Sequence, residues 1–152
     1  MITHAEQKAQ IITIRFQSND PYFIAEKENI EVVEYELSGR LKELYFGDHI
    51  ILNNKMPYTQ KRHYLAHALG HHYLHTGNQL YFSQHRQGQN DKEETQAEEF
   101  SAYLLIPSAQ IIPILDCPPD ELADQFQVSP QFILYRLSLI KNNNELLITN
   151  DE

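Results

Sequence analysis

The segment H-Y-L-A-H-A-L-G-H-H-Y-L-H, residues 63–75, decides how the rest of the chain is read. His63, His67, His71 and His75 stand at steps of four, with His72 beside them. On an α-helix, residues four apart share a face, with Cβ atoms about 5–6 Å apart. Two imidazoles so placed can reach one ion at about 2.0–2.1 Å. A single pair is weak evidence, since eight histidines scattered over this length give roughly 0.4 such pairs by chance. Three successive pairs in one helix are harder to obtain by accident. All four cannot serve one ion, because His63 and His75 would lie roughly 18 Å apart along the axis. His67 and His71 are central. Gly70 removes a side chain just before the second of them, so a neighbouring backbone or a substrate can come close. The plain alternative is a row of partly buried histidines that pack and bond to polar neighbours. On spacing alone both readings stand.

Bulk properties narrow the field. At 152 residues the chain is expected to be one domain with a real core. Hydrophobic residues at 41% and charged residues at 22% are ordinary for a globular protein. A formal charge of −9 argues against the phosphate grip that dominates DNA affinity, so nucleic acid is not an expected partner. A lone Cys117 excludes an internal disulfide framework and suits a reducing compartment. The N-terminus, M-I-T-H-A-E-Q-K-A-Q, shows no cationic stretch followed by an apolar run, and no apolar run is long enough for a bilayer. A cytoplasmic protein without a membrane partner is expected.

Along the chain, residues 5–17 read as a helix, although the I-T-I triplet would also suit a strand. Ser18, Asn19 and Asp20 before Pro21 supply a helix start for P-Y-F-I-A-E-K-E-N-I. E-V-V-E-Y-E-L, R-L-K-E-L-Y-F and H-I-I-L-N predict three short strands in a meander. The histidine helix is expected over about 59–75, and a long loop over 78–91. Asp91 can cap a helix that runs to Leu105 and stops at Pro107. Pro118-Pro119 and Ser129-Pro130 open two further helices, and the tail K-N-N-N-E-L-L-I-T-N-D-E reads as partly loose. The class is α+β with helices in the majority.

A hydrolytic zinc site takes three protein ligands, so a third must come from elsewhere. Residues 93–107, E-E-T-Q-A-E-E-F-S-A-Y-L-L-I-P, offer one. Ala97, Phe100 and Leu104 make an apolar stripe; Glu94, Glu98 and Ser101 fall on the adjoining flank. A carboxylate beside a buried face can point into a site on the neighbouring helix. The bland reading is a solvated, N-terminally acidic helix favoured by the macrodipole, which suits Glu99 and leaves Glu93 open.

With R-H-Y-L-A-H-A-L-G-H-H-Y-L-H followed by E-T-Q-A-E-E-F-S-A-Y-L-L-I-P, the chain resembles the ImmA/IrrE metallopeptidases. Their pattern is H-E-x-x-H on one helix and E-x-x-x-N-x-F-A-x-x-L-L-x-P on the next. S-N-D-P-Y-F-I-A-E-K-E-N-I-E-V, H-I-I-L-N-N-K-M-P and D-E-L-A-D-Q-F-Q-V-S-P-Q-F-I-L-Y-R-L are also similar, so the likeness covers most of the chain. The resemblance implies a zincin-like fold with a small three-stranded sheet, and His67, His71 and Glu94 as ligands of Zn2+ or another divalent ion. It further implies a peptidase acting on a regulatory protein, often a DNA-binding repressor, in phage, mobile-element or stress settings. Two positions depart from the pattern on the second helix: Glu98 stands at the Asn place and Ser101 at the following Ala.

The larger departure is Ala68, which occupies the place of the general base. There the family's glutamate takes a proton from the attacking water and later gives it to the leaving amine. A methyl group does neither, and losing such a group costs about 10²–10⁴-fold in rate. Ion binding does not need that side chain, so the expectation is a filled site with little turnover by the usual route. Three explanations compete: a natural relative that keeps the metal for folding or sensing, an alanine introduced to silence a protease, or another group in the proton role. Glu98 is the candidate substitute; His72 and Tyr103 are weaker, with surface exposure the better expectation for His72 and packing for Tyr103. His75 is expected either behind the ligands, bonded to a carboxylate, or in a structural role. A rival function is a metal-bound interaction module that holds a regulator without cutting it. Residues 118–140 also resemble a helix-turn-helix, yet Arg136 is the only cation of the would-be reading helix. Tyr81 and Phe82, in the long loop, could shape a substrate groove.

Overall fold

The computed structural model describes residues 2–75, 81–82 and 91–142. Helix α1 spans His4–Phe16 and α2 spans Pro21–Lys27. Thr3 starts α1 by accepting from the Glu6 amide at 3.1 Å, and Asp20 starts α2 by accepting from the Tyr22 amide at 3.0 Å. Strands β1 (Glu31–Tyr35), β2 (Glu43–Phe46) and β3 (His49–Asn53) follow, then α3 (Tyr58–Leu74), the two-residue strand β4 (Tyr81–Phe82) and α4 (Asp91–Leu105). A short α5 (Ser108–Ile111) runs into a 3-10 turn at Ile112–Ile114, before α6 (Pro119–Phe126) and α7 (Pro130–Asn142). The α+β class with helices in the majority is therefore what the chain adopts.

The three predicted strands are present, with β4 added at one edge, but they do not form a meander. The order is β1-β3-β2-β4, with β1 parallel to β3 and the other pairs antiparallel. Among the described residues only β2 and β3 make a hairpin, turned at Gly47-Asp48, where Gly47 takes a positive φ of 61° that suits glycine. The connection from β1 to β2 is long enough to step over, and Asn53 at the end of β3 holds it. Its Nδ2 donates to Leu41 O at 2.9 Å and to Leu37 O at 3.3 Å. Strand β3 thus ends up between β1 and β2.

Helix α3 lies at the centre, against α4, the sheet, α2 and α1. It is buried almost all round from Leu65 to His71, as expected of a helix covered on several sides. On α4, Ala97, Phe100, Ser101 and Leu104 make the buried face, and Ala5, Ala9 and Ile12 of α1 pack nearby. Arg62 of α3 donates to Gln127 O at 3.3 Å and Phe126 O at 3.4 Å, closing the last carbonyls of α6. Arg136 of α7 is fully buried, so the one cation read for a DNA-reading helix is not presented to a phosphate. Most of the predicted 78–91 loop and the 143–152 tail lie outside the described residues, and of β4 only the backbone pairing is described. Among the described residues no helix is long and apolar enough to cross a membrane.

Candidate metal centre

Two small residues, Gly70 and Ala97, let α3 and α4 pack closely. A Cβ added at Gly70 would sit 2.8 Å from both Cα and O of Ala97. Glycine at 70 therefore lets the α4 backbone in, as the sequence suggested. The consequence is geometric. His67 and His71 bracket Gly70 on one helix, Glu94 and Glu98 bracket Ala97 on the other, and the close crossing brings the two pairs together.

Three of the expected residues converge. His67, His71 and Glu94 each offer a ligand atom, and these atoms lie within 4.8 Å of one another. His67 Nε2 donates to Glu94 Oε2 at 2.8 Å, and His71 Nε2 is 3.1 Å from Glu94 Oε1. One carboxylate thus meets the same nitrogen of both rings. His71 is fully buried and His67 nearly so.

The groups behind them orient the rings. Glu98 Oε1 accepts from His63 Nε2 at 2.6 Å, from Ser101 Oγ at 2.9 Å and from His67 Nδ1 at 3.5 Å. A carboxylate behind an imidazole fixes the tautomer and leaves the opposite nitrogen for an ion. On the other side, His71 Nδ1 and His75 Nδ1 are 3.1 Å apart, and His75 Nε2 donates to Gln96 Oε1 at 2.9 Å. With its proton on Nε2, His75 accepts at Nδ1, so His71 donates from Nδ1. The His71 Nε2 lone pair then faces the Glu94 carboxylate, acceptor against acceptor. A cation between them is the natural remedy, and two imidazoles with one carboxylate are a donor set that zinc accepts. A second grouping, His71, His75 and Glu93, also lies within 4.8 Å, so Glu93 stands near the site without joining the first three.

The charges respond accordingly. Burial alone would lower His67, but hydrogen bonds to Glu94 and Glu98 outweigh it and raise the imidazole to about 10. Burial lowers His71, against the pull of Glu94. Burial would raise Glu94, yet the hydrogen bond from His67 and the nearness of both imidazoles bring it down to about 2. Glu98 is held well below its ordinary value by His63 and His67 despite its burial.

Other expectations fared differently. His72 is half-buried rather than fully exposed: Tyr45 Oη donates to its Nδ1 at 2.9 Å, and its Nε2 donates to Glu28 Oε2 at 3.4 Å. It bridges α3 to β2 and α2, away from the ion-binding group, because residue 72 turns about 100° from residue 71 toward the sheet. Tyr103 is buried, with the Arg136 guanidinium 4.5 Å from its ring centroid, as packing requires. Ala68 is fully buried. One residue was missed altogether. Glu43 on β2 is 0% exposed, and burial pushes its carboxyl up to about 8, with His67 pulling down and Glu94 and Glu98 pushing up. Its only signal in the sequence is that it falls in phase with Tyr45 on a strand next to the histidine helix.

Two helices that converge imidazoles and a carboxylate, with a small sheet laid against the histidine helix, define a zincin-like α+β fold. The profile of the IrrE N-terminal-like domain, a peptidase family, matches residues 25–138, from α2 to α7. The chain belongs to this family. No curated protein sequence matches it.

Proposed function

We propose that this protein is a metal-dependent peptide hydrolase of the ImmA/IrrE type that acts on a regulatory, repressor-like protein inside the cell. The observation that carries the reading is the convergence of His67, His71 and Glu94 within 4.8 Å, in a chain of a peptidase family. These three residues would hold one divalent cation, zinc by donor chemistry. When bound, it would polarise a peptide carbonyl and acidify water. Glu98 and His75 hold the rings in place. Between Glu98 and the start of α7 lies an open cavity of about 530 Å³, lined by His63, Tyr64, Phe132 and Tyr135 among others. It reaches His63 and Glu98, the pair behind His67, and offers aromatic walls to a peptide side chain.

Ala68 leaves α3 without a proton-carrying carboxylate. If nothing else supplied one, turnover would fall by about 10²–10⁴-fold and the protein would chiefly bind. The test is to offer zinc-loaded protein a peptide mixture from a digested proteome, then purified helix-turn-helix regulators, and to read new termini by mass spectrometry. Cleavage that stops on chelation supports the reading. Saturable binding of a regulator without any new terminus would instead assign a metal-bound interaction module.

A further inference from the structure

Glu43 is an expensive residue to bury. Both its carboxylate oxygens are sealed from solvent and neither has a hydrogen-bond partner. A leucine would pack there at no such cost. An unsatisfied buried carboxylate asks for a function.

Its position can be bracketed. Glu43 and Tyr45 are the buried, inward-facing residues of β2. Tyr45 meets His72 through the 2.9 Å bond. Two residues along a strand advance about 6.6–6.8 Å, and four along a helix about 6 Å. One inward step from Tyr45 therefore matches one helical turn from His72. Lys42, the neighbour of Glu43, lines one cavity with Gln60, His63 and Tyr64, so the step runs toward the start of α3. The helix residue opposite Glu43 is then Ala68. Where the family pattern puts a carboxylate on the helix, this chain has a methyl group, and it has a buried carboxylate on the strand that faces it. Glu98 is less suited to the same task, because His63, Ser101 and His67 already occupy its Oε1.

We propose that Glu43 supplies, from β2, the acid–base carboxylate that α3 lacks at position 68. The inference rests on the hydrolytic reading above. Glu43 takes one proton of the attacking water as the water oxygen bonds to the peptide carbonyl carbon. The C–N bond then breaks, and the same proton passes from Glu43 to the amine nitrogen, leaving the carboxylate as it began. Placed on a strand, the group is compatible with a small residue at 68, where alanine stands.

Two measurements test this. The first is a double-mutant cycle in thermal stability on metal-free protein, with Ala68→Glu and Glu43→Ala. Ala68→Glu alone forces two carboxylates into one space and is expected to lower Tm by roughly 5–10 °C. In the Glu43→Ala background the same change should cost less than about 2 °C. Ala68→Gln carries the bulk without the charge and keeps the cycle readable if Ala68→Glu does not fold. An equal penalty in both backgrounds overturns the shared site. The second compares Glu43→Gln with wild type for zinc content and for cleavage of the proteome-derived peptide mixture. Zinc should be retained, cleavage should fall about 10²–10⁴-fold, and Ala68→Glu/Glu43→Ala should cut. Loss of zinc makes Glu43 a ligand and overturns the proposal. Undiminished cleavage by Glu43→Gln overturns it while leaving the hydrolytic reading intact. Zinc-loaded wild type that cuts nothing overturns both.

Discussion

Two buried polar regions of this molecule solve the same problem in opposite ways. Around Arg136 every charge is answered. Its Nε donates to Ile106 O at 2.8 Å, its Nη2 to Ser108 Oγ at 2.8 Å, and the guanidinium lies 4.5 Å from the Tyr103 ring centroid. Ser108 in turn donates to Glu6 at 3.2 Å. The network ties α7 to the 106–108 corner and to α1, and it needs nothing from outside. Around α3, by contrast, Glu94 and Glu98 meet His67, Glu94 also meets His71, and Glu43 stands on β2 with both oxygens left over. A satisfied buried charge fixes a conformation; an unsatisfied one keeps a free-energy cost that a ligand can relieve. The second region is where chemistry is expected.

The contrast can be broken by substitution. Arg136→Met should cost the most stability, about 3–5 kcal/mol, because Ile106 O and Ser108, which in turn bonds Glu6, lose a buried charged donor. Zinc content of the folded fraction should not change. Urea unfolding checks the first point and elemental analysis the second; a loss under about 1 kcal/mol would show that the saturated network is not what holds α7. Gly70→Ala comes next. It gains up to about 1 kcal/mol of helix propensity, but its Cβ meets the Ala97 backbone at 2.8 Å. Overpacking of about 1–3 kcal/mol wins, and prising α3 from α4 should weaken zinc binding about tenfold by competition with a chelating dye. Unaltered affinity would separate the helix crossing from the site.

A pH series sharpens the same comparison. In metal-free protein, Glu94 has its carboxyl lowered from 4.5 to about 2. A lowered carboxyl contributes stability above its unfolded value and loses it as pH falls through the folded one. Wild type should therefore lose Tm between pH 4.5 and about 2 more steeply than Glu94→Gln. Parallel curves would mean that the His67–Glu94 bond adds nothing without the ion. The smallest effect is expected from Tyr45→Phe. It removes the 2.9 Å bond to His72, which keeps Glu28, at a cost of about 0.5–1.5 kcal/mol with zinc binding unchanged.

What could be read from the sequence follows from where its information is local. The four-residue rhythm of the histidines and the Glu94/Glu98 flank are properties of single helices, so they were legible, as were the starts at Asp20 and Ser129. Gly70 was legible because only a close approach gives a central glycine a use. Strand pairing was not, since nothing in β1 says that β3 rather than β2 will lie beside it. The short helical corner at Ser108–Ile114 carries no period long enough to see. His72 was misread as exposed because the sheet that covers its face comes from residues far away in sequence. Glu43 was invisible for the same reason: a lone acidic residue on a four-residue strand reads as solvated until the helix opposite is known.

The central claim is that one divalent cation sits on His67, His71 and Glu94. Elemental analysis of chelator-stripped, zinc-reloaded and desalted protein tests it directly. The account predicts about one zinc per chain in wild type and essentially none in His67→Ala or Glu94→Ala, with both variants still folded by circular dichroism. Wild type that retains no zinc, or either variant that retains it at wild-type level, would contradict the assignment.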